Sequence, residues 1–167
     1  MKKLILLFIL INSIILGQII RPDSTRISEW KNFNNISKGN WKIRWNENTG
    51  LPRSIYGSVT KKHKGNPKDV SIAFLKNNRK LFGFKDELSD IKIEQIKSNR
   101  DVNHIKFQQY YKNIKVEDAV FKVHVRNNGQ IDMINGIYYP NINITSNPSI
   151  SSSEAIKTVI QDLDIKL

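Results

Sequence analysis

The chain contains no cysteine in its 167 residues. This excludes a disulfide framework, a thiolate zinc site and a cysteine nucleophile. Proline and glycine are sparse, with five and eight residues, so collagen-like and Pro/Gly-rich low-complexity chains are excluded as well. Acidic residues are few: 15 Asp+Glu stand against 27 Lys+Arg, for a formal net charge of +12. The hydrophobic fraction of 39% is nevertheless that of a folded protein, not of a disordered one. No apolar run reaches the ~20 residues that a membrane-spanning helix needs. The longest run, residues 4–16, is broken by Asn12 and Ser13, follows Lys2 and Lys3, and ends at Gly17. That is the pattern of a secretory signal peptide over residues 1–17, with cleavage expected at Gly17. An uncleaved anchor is the alternative. The expected location is extracellular, with membrane contact only through this segment before cleavage.

Beyond Lys2 and Lys3, the lysines are spread from Lys31 to Lys166 instead of being gathered on one segment. Their one local cluster, Lys61, Lys62, His63 and Lys64, runs into Gly65, Asn66 and Pro67 and reads as a solvated loop. A specific nucleic-acid partner is therefore not expected, although a basic polyanion-binding protein remains a rival reading. Chemistry-bearing motifs are missing too. There is no H-E-x-x-H, no G-x-S-x-G and no P-loop, and the three histidines, His63, His104 and His124, are far apart in sequence. The acidic pairs Asp86-Glu87 and Glu117-Asp118 fall in expected loops. Catalytic, metal and cofactor-binding residues are all expected to be none.

Residues 18–40 are polar and read as a linker or loosely attached arm. Trp41, Ile43 and Trp45 then alternate with Lys42 and Arg44, a period of two that predicts a strand. Residues 46–50 form a turn, and residues 51–56 a second strand. Asn66, Pro67 and Asp69 are N-terminal helix signals, and Val70, Ala73, Phe74 and Leu81 form an apolar stripe that predicts a helix over 67–82, closed by Gly83. Strand patterns come next at Ile91 and Ile93, at Ile105, Phe107, Gln109 and Tyr111, and at Phe121, Val123 and Val125. Asn128-Gly129 between two such runs predicts a hairpin, because both residues tolerate positive φ. Each adjacent pair, Tyr110-Tyr111 and Tyr138-Tyr139, should turn one ring to the core and one outward. After a polar connector, Ser151 to Glu154 reads as a capping box for an amphipathic helix carrying Ala155, Ile156, Val159, Ile160 and Leu163. The expected fold class is α+β: one helix packed on an antiparallel β-sheet, plus a C-terminal amphipathic helix that begins a truncated second domain.

Residues 70–83 contain F-L-x-x-N-x-x-L-F-G, with Phe74, Leu75, Asn78, Leu81, Phe82 and Gly83 at the named positions. Residues 104–116 read H-x-K-F-x-Q-x-Y-x-N-I-K-V, with His104, Phe107, Gln109, Tyr111, Ile114 and Val116 in register. Together with T-G-L-P-R and Gly57 upstream, these segments resemble the fungalysin/thermolysin propeptide (FTP) domain of secreted thermolysin-like zinc metalloprotease precursors. Residues 148–155 resemble the entry to the PepSY domain that comes after it. The family's turn Gly, Pro and second Gly are Asn113, Lys115 and Asp118 here, and Asn and Asp are the residues that best imitate Gly at positive φ. The resemblance implies an FTP-like domain over 41–140 and a truncated PepSY-like start over 148–167. It implies a folding assistant and inhibitor whose partner is the cognate metalloprotease catalytic domain, normally in the same chain. The motif positions are then structural. Zinc, with calcium as a further candidate, is expected only in the missing peptidase domain. A free-standing secreted inhibitor or binding module of the same fold is the alternative.

Overall fold

The computed structural model describes residues 19–37 and 39–164; the expected signal segment and its cleavage site at Gly17 lie outside them. Six strands form one antiparallel sheet: β1 (Lys42–Trp45), β2 (Pro52–Tyr56), β3 (Ile91–Asn99), β4 (Val102–Tyr111), β5 (Ile114–Arg126) and β6 (Ile131–Gly136). Their spatial order is β1-β2-β6-β5-β4-β3. Strands β3 to β6 are a meander built from local hairpins, and its last strand returns to pair with β2. Period-two patterning gives the sheet one apolar face, on which Ile55, Ile105, Val123 and Ile134 are fully buried. The fold class is α+β, as the alternating and helical patterns predict.

The helices cover that apolar face. Helix α1 (Ser24–Ile36) is followed by α2 (Pro67–Asn77) and α3 (Arg79–Phe82). The expected helix over 67–82 is thus two helices, broken at Asn78, whose side-chain Nδ2 donates to the Phe74 carbonyl at 2.8 Å. The N-cap forms as expected, with the Asn66 side chain accepting from Asp69 N, and Gly83 closes α3 in the left-handed region at φ 72°. Phe74, Phe82, Phe84 and Phe121 make a chain of aromatic contacts between helices and sheet, with centroid separations of 5.1–6.3 Å.

Helix α1 corrects the expectation of a linker or loose arm over 18–40. Asp23 caps it by accepting from Arg26 N at 2.8 Å, and Phe33 is buried against Trp41 and Phe74. Phe33 and Trp30, three residues apart and stacked at 5.8 Å, anchor an otherwise polar helix. Fully burying one such side chain is worth roughly 1.5–3 kcal/mol, enough to hold a short helix that has little apolar periodicity. The packed unit therefore begins before residue 41. Helix α4 (Ser152–Asp162) carries the expected capping box between Ser151 and Glu154, but none of its residues is buried. Ile156, Val159 and Leu163 on its stripe are exposed.

Two turns obey the sequence signals and one detail departs. Lys112 and Asn113 both take positive φ in the two-residue turn between β4 and β5, and Asp118 does so inside β5. Between β5 and β6 only Gly129 has positive φ. Gly129 N donates to Arg126 O at 2.9 Å, and Arg126 N to Gln130 O at 2.7 Å. This is a tight turn followed by a left-handed Gly, not the two-residue turn with both residues left-handed.

Candidate functional site

With helices on one face, the other face of the sheet is left open, and its composition is set by strand parity. Away from the bulges, every second strand residue points away from the helices. Across paired strands this brings together Lys42, Arg44, Lys97, Lys106, Lys122 and Arg126, with Tyr56, His104, His124, Met133 and Asn135 between them. Lys106 and Lys122 are direct cross-strand partners, an arrangement of like charges that Glu94 relieves. The Glu94 carboxylate accepts from Lys106 at 2.6 Å and from Lys115 at 3.0 Å. These two bonds, Lys106 first, hold the Glu94 carboxyl below its usual range, and Glu94 in turn raises Lys115. Asp132 is paired with Arg126 at 2.8 Å. The face is consequently basic overall.

At the centre of this face His104 and His124 stand opposite each other, with Nδ1 atoms 2.8 Å apart. His124 Nε2 bonds Asn135 Oδ1 at 2.8 Å. Burial pushes the His124 imidazole down from its ordinary value, and Asn135 acts against that shift. The pairing is invisible to simple register counting from the turn at Lys112-Asn113. Between the pairs Tyr110↔Lys115 and Gln108↔Val120, β4 advances two residues while β5 advances five. This wide bulge, which contains Asp118 at φ 56°, shifts the hairpin by three. His104 therefore meets His124 instead of Phe121.

The bulge also explains Gln108, placed by alternation on the outer face yet fully buried. Its Nε2 donates to Val116 O at 2.7 Å, Gln109 O at 3.1 Å and Ala119 O at 3.3 Å. It thus satisfies carbonyls that the broken ladder releases. Next to it is a buried polar knot. Gln109 Nε2 donates to Tyr139 O at 2.8 Å and to Asp90 Oδ2 at 3.2 Å, while its Oε1 accepts from Tyr139 N at 3.0 Å. The Tyr138 hydroxyl donates to Asp90 Oδ2 at 2.8 Å. Burial first, and the Asp90 carboxylate second, push the Tyr138 phenol far above its ordinary 10.

The motif residues named from sequence thus do not converge on one centre. Phe74, Leu75, Leu81, Phe82 and Phe107 are core; Asn78 and Gly83 shape the helix ends. Gln109 ties the knot, and Val116 supplies a carbonyl to Gln108. Ile114 is exposed. Tyr111, expected on the core face, is only half-buried, as is Tyr110, because the bulge ends the alternation; the Tyr111 hydroxyl donates to Ile144 O at 3.3 Å. Tyr138 and Tyr139 divide as expected, one buried and one half-buried. His104 alone of the set lies on the open face. Sequence reasoning missed Asp90, Gln108 and the partnership of His124 with His104, all of which depend on the bulge or on contacts distant in sequence.

A hollow of about 560 Å³ lies between α1, α2 and residues 59–63 and is lined by Phe33, Ile36, Phe74 and His63. Burial, then Lys61, pushes the His63 imidazole down. No helix among the described residues is long and apolar enough to cross a membrane.

Among solved structures the chain is similar to the Bacillus megaterium YpeB C-terminal domain, at 13% identity and a TM-score of 0.42, covering 84% of this chain and 75% of that one. At the level of sequence families, residues 93–138 match the family described as Fungalysin/Thermolysin Propeptide Motif. The matched stretch runs from within β3 through β6 to Tyr138 and includes the bulge, the paired histidines, and Gln109 and Tyr138 of the polar knot. The similarity to this family thus lies in the meander of the sheet, from within β3 to the end of β6.

Proposed function

We propose that the chain is the propeptide region of a secreted thermolysin-like zinc metalloprotease precursor, acting by binding and not by catalysis. The observation that carries this reading is the match of residues 93–138 to the propeptide motif. The cognate catalytic domain is the partner, normally in the same chain, and zinc, with calcium as a further candidate, belongs to that domain. The mechanism is thermodynamic. A domain that binds the native-like protease better than its unfolded form shifts the folding equilibrium toward the native form by mass action. The same contact inhibits when it obstructs the cleft.

The open sheet face supports a binding role. It is a strand-built surface with six cations placed by register, and it would steer toward an acidic patch on the partner. Purified residues 18–167 should raise the refolding yield of a denatured cognate catalytic domain and slow its peptidase activity once folded. Both effects should weaken as ionic strength rises. A yield no greater than that with an unrelated basic protein of similar size would overturn the reading, as would metal-dependent proteolysis by the chain alone.

A further inference from the structure

His104 on β4 and His124 on β5 are direct cross-strand partners on the open face. Their rings meet edge to face, with centroids 4.7 Å apart and planes at 88°, and their Nδ1 atoms are 2.8 Å apart. The bond from His124 Nε2–H to Asn135 Oδ1, at 2.8 Å, fixes the tautomer of the neutral ring. With the proton on Nε2, the Nδ1 lone pair faces His104. In the resting pair it accepts the His104 Nδ1–H. Moving that proton to His104 Nε2 leaves both Nδ1 atoms, 2.8 Å apart, with lone pairs free to bind an ion.

The spacing suits a metal ion. At metal–nitrogen distances of ~2.0 Å, two nitrogens at a right angle lie ~2.8 Å apart, whereas at the tetrahedral angle they lie ~3.3 Å apart. Right-angled nitrogens are the arrangement of tetragonal Cu(II) and Ni(II), and Cu(II) leads the affinity order for nitrogen ligands. The surroundings carry both signs: Lys97, Lys106, Lys122 and Arg126 share the face and oppose a cation, while Asp132, paired with Arg126, offsets part of that charge. Met133, the cross-strand partner of His124 on β6, and Asp132 line the same open hollow of about 600 Å³. Asn135 supplies the outer-shell acceptor that ligating histidines almost always have. Among the described residues no group of three or more His, Cys, Asp and Glu could hold a metal ion, so solvent would complete the coordination.

We propose that His104 and His124 form a two-imidazole site on the open sheet face for a divalent transition metal, Cu(II) in preference to Zn(II). The ion bridges β4 and β5 four residue pairs from the bulge, and it binds only when the hairpin has its native register. The site does not depend on the propeptide reading.

Titration of the full chain, free of any affinity tag, with Cu(II) tests it. Proton NMR should show the His104 and His124 imidazole signals broadened before that of His63, with uptake saturating at one equivalent. The electron paramagnetic resonance spectrum should carry hyperfine structure from two nitrogens. His104→Gln and His124→Gln should each abolish the saturable equivalent and His63→Gln should leave it intact. Asn135→Ala should weaken it about 10–100-fold. The NMR measurement on the unaltered chain decides the matter even where a variant fails to fold. Broadening of His63 ahead of the pair, uptake unchanged in both glutamine variants, or Zn(II) bound more tightly than Cu(II) would overturn the proposal.

Discussion

At Gly129 two constraints coincide. Its φ of +82° is in the left-handed region, and a Cβ there would run into the backbone carbonyl of His63, whose own N–H donates to Gly129 O at 3.1 Å. Gly129→Val should therefore lower stability by about 1–3 kcal/mol from backbone strain alone, with the close approach adding to it. A denaturation midpoint equal to that of the unaltered chain would contradict the turn. Tyr138 supports a different measurement. Its phenol is raised by burial and by Asp90, so the folded form keeps its proton when the unfolded form, near 10, begins to lose it. This contribution is present below pH 10 and is lost as pH rises past it. Tyr138→Phe, which removes a hydrogen bond to a charged group, should cost about 1.5–3 kcal/mol at neutral pH. The gap between the two proteins should narrow above pH 10, and a gap independent of pH would show that the hydroxyl is not held by Asp90. Residues of this kind are unevenly legible. Gly129, Asn113 and Asp118 announce positive φ through their own chemistry. Asp90 and Gln108 look like ordinary polar residues until their partners, many positions away, are known.

Among the elements, the wide bulge in β5 has the largest consequences. It buries Gln108 and brings the two histidines opposite each other. Gln108→Leu keeps approximate size but removes the donor shared by the carbonyls of Val116, Gln109 and Ala119. Leaving buried carbonyls unpaired costs about 1–3 kcal/mol, and the hydrogen-exchange protection of residues 114–120 should fall more than that of β6. Equal loss across the sheet would mean that Gln108 acts only by filling space. Helix α2 and the hairpins were readable because their signals are local: a cap, a stripe, a turn residue. The pairing of β2 with β6 was not, because it joins segments about eighty residues apart whose patterns merely say strand. Helix α1 was hidden for another reason. Its buried side amounts to little more than Trp30 and Phe33, so residues 18–40 carry almost no periodicity, and only the aromatic surface of Trp41 and Phe74 gives it a place.

For the whole molecule, the division that matters is between the helix-covered sheet and the C-terminal segment from Pro140 onward. Sequence reasoning placed one boundary at residue 41, yet Phe33 of α1 belongs to the same core as Phe74 and Ile55. At the other end no α4 residue is buried, and the connector touches the sheet through the Tyr111 hydroxyl on Ile144 O. Stability should therefore respond very differently to changes at the two ends. Phe33→Ala should cost about 3–5 kcal/mol, the usual range for emptying a buried Phe site. Removing residues 149–167, which keeps Ile144, should change stability by less than about 0.5 kcal/mol, as expected where no buried contact is lost. Denaturant titration of both proteins checks the pair. If the shortened chain unfolds at a clearly lower denaturant concentration, the apolar stripe of α4 at Ile156, Val159 and Leu163 packs on the sheet in solution. If Phe33→Ala is harmless, α1 is an appendage and the core is complete without it. The expected outcome, a large loss at Phe33 and none beyond residue 148, would define a folding unit that includes α1 and excludes α4. It would leave the stripe of α4 as apolar surface that the sheet domain does not use.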